Sequence, residues 1–182
     1  IVSKEETLPF KTQEGVSIEL VPPGKKIGAM LENGEIDALM MPHPPQAVVR
    51  GSDRIGRLFA DVKQEEVRYF QKNGFYPIMH VVAFKDELLE QHPWLAKSVM
   101  AAFELAKEAC THYYDDPNWS RLAWGRHLFE EERKILGEDP WPYGVKKNRA
   151  NLERFMGYSL DQGLMEKKLA VEELFAPTTH DT

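Results

Sequence analysis

The segment from Lys134 to Gly144 most constrains the fold, because two prolines bracket Trp141 and a glycine follows two residues after the second. Proline fixes φ and lacks a backbone N–H donor, so neither a helix nor a central strand passes through such a run. The pattern predicts a rigid loop that presents Trp141 and Tyr143. These two rings could wall an aromatic ligand site, but a structural clamp between helices is the better interpretation of the loop.

Composition limits the class of protein. The chain has 182 residues, 42% of them hydrophobic, which is enough for one good-sized domain or two small lobes with a packed core. A net charge of −6 argues against a nucleic-acid partner but allows a local basic pocket for a small anion. The single cysteine, Cys110, rules out an internal disulfide, and its apolar helical surroundings predict a buried side chain. We expect no membrane span and no signal peptide, because no apolar run is long enough for either.

The first part of the chain has the pattern of a strand–helix–strand unit. Residues 16–21 alternate apolar and polar side chains as in a half-buried strand, and residues 25–33 carry apolar side chains at helical spacing before Asn33-Gly34. Residues 36–41 are a short apolar run and predict a buried, parallel strand. The run Pro42-His43-Pro44-Pro45 then breaks the chain where that strand ends, which is the usual place for ligand contacts in open α/β sheets.

The second part of the chain is helical in pattern after one more strand-like run. A helix is predicted over residues 62–72, and the dense run from Gly74 to His80 opens a β-rich stretch that reaches Phe84. Helical patterns follow as far as Gly163, and Leu174 to Pro177 are expected to dock as a short apolar plug. The sequence therefore predicts an α/β fold with too few strands for a complete sheet.

Several short motifs, taken in order, resemble the 4,5-dihydroxyphthalate decarboxylase family. These motifs are Arg57-Leu58-Phe59, Phe75 to His80, His92-Pro93-Trp94, Asp139 to Gly144 and Glu173 to Pro177. Leu31 to Leu39, followed by Pro42 to Pro45, resembles the second-lobe strand and hinge region of type 2 periplasmic-binding-protein folds. The resemblance implies a type 2 periplasmic-binding-protein-like fold, of which only part is present. It also implies that residues 1–78 form part of the second lobe with the hinge, and that residues 79–182 form a helix-rich C-terminal part. The family's N-terminal part has no counterpart in this chain.

The resemblance implies a lyase that releases CO₂ from a dihydroxylated aromatic dicarboxylate, converting 4,5-dihydroxyphthalate to protocatechuate. Each ring hydroxyl lies para to a carbon that carries a carboxylate, so the ring can accept a proton before CO₂ leaves without an organic cofactor or a metal. His80 is the candidate proton donor, because imidazole titrates near neutrality. The alternative for His80 is a core histidine that bonds a backbone carbonyl.

The remaining candidate site residues would bind the anionic substrate. His43 follows the predicted buried strand, although such a histidine can also be an exposed turn residue. Pro45 and Gln46 would open a short helix whose backbone donors suit a carboxylate. Arg50 could hold a carboxylate through two N–H donors, as could Arg54 or Arg57, although most arginines are surface charges. Tyr143 would contribute an aromatic wall.

A second class of function fits the same residues. The chain could be a non-catalytic solute-binding protein of an ABC transporter, or a related pyrimidine- or sulfonate-binding protein, and a precursor-processing enzyme of the same fold is a weaker alternative. The enzyme would be cytoplasmic and the binding protein periplasmic. In either case the expected partner is a small anionic aromatic ligand, and self-association is expected if apolar surface is left uncovered.

Overall fold

The computed structural model describes residues 2, 12, 14–116, 118 and 121–182. Contacts divide the chain into two compact units, Ile1–Val62 and Lys63–Thr182. This boundary lies earlier than residue 78, where the resemblance places the end of the second-lobe segment. The two divisions rest on different criteria, and the one implied by the resemblance stays a prediction.

Helices dominate the described residues. Helix α1 comprises Ile27–Glu32, α2 Gln46–Val49, α3 Val62–Asn73, α4 Asp86–Gln91, α5 Leu95–Asp115, α6 Gly125–Leu136 and α7 Arg149–Asp161. Two single turns of 3₁₀ helix follow at Val171–Glu173 and Pro177–Thr179. Glycines with positive φ end α1, α3, α6 and α7 close to the predicted stops, because glycine enters the left-handed region without a Cβ penalty.

Strand pairing in the described residues is limited to one parallel bridge between Val2 and Leu20. The predicted strand over residues 16–21 contains only that bridge, and residues 36–41 and 76–84 are not paired. The expectation that residues 36–41 are buried is wrong for Met40 and Met41, and the Met40 side chain is 99% exposed. An apolar run becomes a buried strand only when neighbouring strands cover it. The partial α/β fold therefore stays a prediction.

The first unit is built around the contact between α1 and α2. Met30 of α1 and Ala47 of α2 are its buried hydrophobic side chains. Pro45, which precedes α2, packs so closely on Gly28 that a Cβ at position 28 would lie 3.3 Å from the Pro45 Cβ. The two short helices therefore pack closely together, and the loop over residues 33–45 connects them.

The second unit has its core around α7. Leu152 and Met156 of α7 pack with Val145 and Val171, and Ile78, Met165 and Phe175 cover this cluster. The contact of Phe175 confirms the predicted docking of the Leu174 to Pro177 segment, although Leu174 itself is exposed. The prediction that Cys110 is buried is wrong, because its side chain lies exposed on α5. Its helix buries only one of its described side chains, Ala96, so the apolar stripe of α5 is largely uncovered.

Candidate functional site

His43 lies in the loop that joins α1 and α2, and its side chain is exposed. The sequence folds in this way because Asn33-Gly34 ends α1 and the prolines at positions 42, 44 and 45 prevent a helix until Gln46. Pro45 is half-buried against Gly28 and fixes the end of the loop. His43 is therefore accessible to a ligand, as the functional interpretation requires, and the exposed-turn alternative fits its placement equally.

Gln46 is the exposed first residue of α2, which is a single turn of four residues. The turn begins after Pro45, as the sequence predicts, and the Pro45 carbonyl accepts backbone hydrogen bonds from Val48 and Val49 at 2.9 and 3.2 Å. A helix this short has little dipole of its own. Carboxylate binding at this turn would therefore depend on charged neighbours.

Arg50 supplies such a charge directly after α2. Its guanidinium donates from one NH₂ group to Glu32 at the end of α1, and the Ser52 hydroxyl donates to the other Glu32 oxygen at 2.9 Å. The hydrogen bond from Arg50, followed by the one from Ser52, lowers the pKa of Glu32 below its usual range despite partial burial. The result is a fixed ion pair in which the arginine side chain is 58% exposed and the glutamate side chain 18%.

His80 lies in the second unit, on the segment over residues 76–85 that belongs to no helix or strand, and is exposed. The start of this segment is held in place, because Asn151 of α7 donates to the Tyr76 carbonyl and Ile78 packs on the core. His80 therefore follows an anchored stretch and projects beyond the core. The imidazole is therefore accessible to a ligand in this structure, and the role of His80 stays a prediction.

Tyr143 is held by α5. Its ring meets Phe103 edge-on with centroids 6.1 Å apart, and the Lys107 ammonium lies 4.5 Å from its centroid. Lys107 also donates to Asp139 at 3.0 and 3.1 Å and to the Trp141 carbonyl at 3.2 Å. Partial burial lowers the pKa of Lys107, but hydrogen bonds to Glu104 and Asp139 outweigh it and leave the pKa above its usual value.

The loop that contains Trp141 and Tyr143 is tied to α7 as well. Asn148, which precedes α7, donates to the carbonyls of Pro142 and Gly144 at 2.6 and 2.9 Å. Trp141 packs on Tyr76 with ring centroids 5.2 Å apart. These contacts confirm the predicted clamp, and the role of Tyr143 in substrate binding stays a prediction.

The structure thus places the predicted residues in two groups. His43, Pro45, Gln46 and Arg50 share the first unit, where they flank or belong to α2, while His80 and Tyr143 belong to different parts of the second unit. Reasoning from sequence missed Glu32, Ser52 and Lys107. Each of these side chains makes a hydrogen bond to a residue that is 18 to 34 positions away in the chain, and no periodic pattern in the sequence predicts such a contact.

Among the described residues, no helix combines the length and apolar character that crossing a bilayer requires. Likewise, no group of three or more metal-binding side chains comes together in the described part of the chain.

Comparison with known proteins gives one relevant match. No protein-family model matches the chain. A curated protein of Comamonas testosteroni, named 4,5-dihydroxyphthalate decarboxylase, is 31% identical over 176 residues. The match covers 96% of this chain and 53% of that protein, so the chain spans about half the length of the curated relative it matches. The chain is therefore a distant homologue of this decarboxylase, and the partial coverage agrees with the expectation that part of the family's length has no counterpart here.

Proposed function

We propose that this chain belongs to the 4,5-dihydroxyphthalate decarboxylase family and forms part of a decarboxylase of a dihydroxylated aromatic dicarboxylate. The observation that carries the proposal is the identity of 31% along 96% of the chain, because similarity of this extent covers every candidate site residue and not one isolated motif. The same match supports a small anionic ligand. The proposed substrate type is 4,5-dihydroxyphthalate, and the product is protocatechuate.

The proposed reaction needs one acid and an anion-binding group. A ring hydroxyl donates electron density to the para carbon that carries a carboxylate, that carbon accepts a proton, and the C–C bond to the carboxylate then breaks to release CO₂. The new C–H bond takes its electron pair from the ring π system, and the electron pair of the C–C bond that breaks returns to the ring and restores its aromaticity. The substrate's own hydroxyl supplies the electron density, so the proposal needs no cofactor.

His80 is the proposed proton donor. Its imidazole is exposed and extends from a segment that Asn151 and Ile78 anchor, so the ring can meet a ligand without unfolding of the core. Histidine can donate a proton near neutral pH and recover one from water. In the first unit, Arg50, with His43 and Gln46 nearby in the chain, is the proposed group for binding a substrate carboxylate, because its exposed guanidinium has further N–H donors.

Turnover of 4,5-dihydroxyphthalate tests the proposal. The complete translation product of the gene is incubated with the compound, and CO₂ and protocatechuate are measured. We expect equal amounts of both products without added metal or cofactor. Absence of turnover together with tight binding of another anionic solute would overturn the proposal and favour the solute-binding hypothesis.

The variant His80→Ala tests the role of the imidazole. We expect a loss of turnover of at least about a hundredfold, since general acid catalysis contributes roughly that much, with an unchanged circular dichroism spectrum. His112→Ala is the matched control, because His112 is also exposed but lies on α5. If the His80 variant kept full activity, His80 would have no part in the mechanism.

A further inference from the structure

The loop that carries His43 is closed at its base by a three-residue network. Glu32 is the last residue of α1, Arg50 follows α2, and Ser52 comes two residues later. Arg50 and Ser52 each donate to a different oxygen of the Glu32 carboxylate. The contact therefore joins the end of α1 to the residues after α2, and the packing of Pro45 on Gly28 holds the loop over residues 33–45 from its other side.

The two charged side chains of this network differ in accessibility. The glutamate side chain is mostly covered, at 18% exposed, while the arginine side chain is 58% exposed. The Ser52 hydroxyl fixes the orientation of the carboxylate, and the carboxylate in turn fixes the guanidinium. A guanidinium has five N–H donors, so a group held through one NH₂ can still offer its Nε and its other NH₂ group to a ligand.

We propose that Glu32 is a positioning residue for carboxylate binding, acting through Arg50 and through the base of the His43 loop. This inference rests on the proposed function, in which Arg50 binds the ring carboxylate. An isolated surface ion pair contributes little to stability, typically about 0–1 kcal/mol. Here the carboxylate is part of a network and is largely covered, and a prepositioned arginine binds a ligand with less loss of side-chain entropy.

The test compares Glu32→Gln with Glu65→Gln in the complete protein. Glu65 is a matched control, because it also pairs with an arginine, Arg68, but lies on α3. Turnover of 4,5-dihydroxyphthalate gives KM and kcat, and hydrogen–deuterium exchange follows the amides of residues 33–45. For Glu32→Gln we expect KM to rise about tenfold with kcat within about twofold, the pattern of lost substrate binding, and faster exchange confined to the loop.

The outcomes separate the inference from the function on which it rests. Wild-type KM and unchanged loop exchange in Glu32→Gln would overturn the inference while leaving the proposed function intact. Faster exchange throughout residues 14–62 would also overturn it, since Glu32 would then stabilise the unit and not position a group. If the wild-type protein itself gave no turnover, the proposed function would fail. Loop exchange alone would then decide whether Glu32 positions the His43 loop.

Discussion

Tyr76 shows how a single position links the aromatic contacts of the second unit to its electrostatics. Its ring lies between Phe70 of α3 and Trp141, with centroid distances of 5.6 and 5.2 Å. Burial is the largest cause that raises the pKa of the Tyr76 phenol, and the carboxylates of Glu66 and Glu132 add to it. If Tyr76 ionised, its phenolate would be partly shielded from water and would be repelled by the two carboxylates.

We therefore expect Tyr76 to be the last tyrosine to ionise as pH rises. A raised pKa in the folded state means that the protonated phenol stabilises the fold below about pH 10, and that this contribution is lost as pH rises through the folded pKa. Absorbance near 295 nm in the wild type should show a late ionisation step. The step should be missing in Tyr76→Phe and present in Tyr158→Phe, whose ring is exposed. An unchanged late step in Tyr76→Phe would contradict the assignment.

For single residues, the sequence predicts features that depend on the covalent structure of that residue. It does not predict contacts with residues that are far away in the chain. The prolines at 140 and 142 were sufficient to predict a rigid loop that clamps helices, because proline restricts its own residue. The lysine that holds this loop, Lys107, is far away on α5 and has no local signature. The same holds for Glu32, which sequence marks only as the end of a helix. The sequence left open whether His80 is a core histidine, and the structure places both His80 and His43 at the surface.

In the second unit, the backbone at Gly144 and the backbone at Thr182 lie close together. Gly144 has a φ of 105°, which a residue with a Cβ rarely adopts, and a Cβ there would lie 2.7 Å from the Thr182 carbonyl carbon. The approach lets Thr182 bond to the backbone of Val145 and Lys146 next to the core. Gly157 differs, because it lies within α7 with no atom closer than 4 Å to an added Cβ.

Opposite effects are expected from the same substitution at these two glycines. Gly144→Ala should destabilise the protein by roughly 1–3 kcal/mol through backbone strain alone, with the steric conflict added to it. Gly157→Ala should stabilise α7 by about 0.5–1 kcal/mol, since alanine loses less entropy on entering a helix. Urea denaturation of the two variants provides the measurement. Equal stability of both variants would show that the segment at Gly144 does not contribute to folding.

Helices and strands differ in how far the sequence could predict them. A helix satisfies its backbone within its own segment, so the apolar spacing and the glycine stops placed α1, α3 and α7 within a few residues. A strand satisfies its backbone on a neighbour that is distant in the chain. Residues 36–41 and 76–84 have the composition of strands, and in the described part of the chain neither finds a partner. The composition of these two segments therefore indicates that they suit pairing with a neighbouring strand, but it does not predict which segment that neighbour is.

In the part of the chain that the structure describes, many large apolar side chains are exposed for a folded protein. The described residues contain seven buried hydrophobic side chains, four of them in the cluster around α7. Exposed large side chains lie in both units, and Met79, Val81 and Val82 form a run beside His80. Surfaces of this kind mark protein–protein contacts or regions that further polypeptide covers. The curated relative is about twice as long as the region that matches this chain.

The segment next to His80 is where uncovered surface should lead to self-association. Among the described residues, no backbone–backbone hydrogen bond involves residues 77–84, and pairing with an added strand is the association that we expect for this segment. Met79 and Val81 are 77% and 64% exposed and lie two residues apart in this segment. We expect the isolated chain of 182 residues to associate with increasing concentration in light scattering. The double variant Met79→Lys with Val81→Lys should reduce the average mass, because edge lysines oppose strand addition.

The matched control, Leu105→Lys with Leu128→Lys, places the same charges on exposed positions of α5 and α6 and should leave association unchanged. A wild-type chain that stays monomeric at every concentration, or a control that dissociates as readily, would show that this segment is not the associating surface.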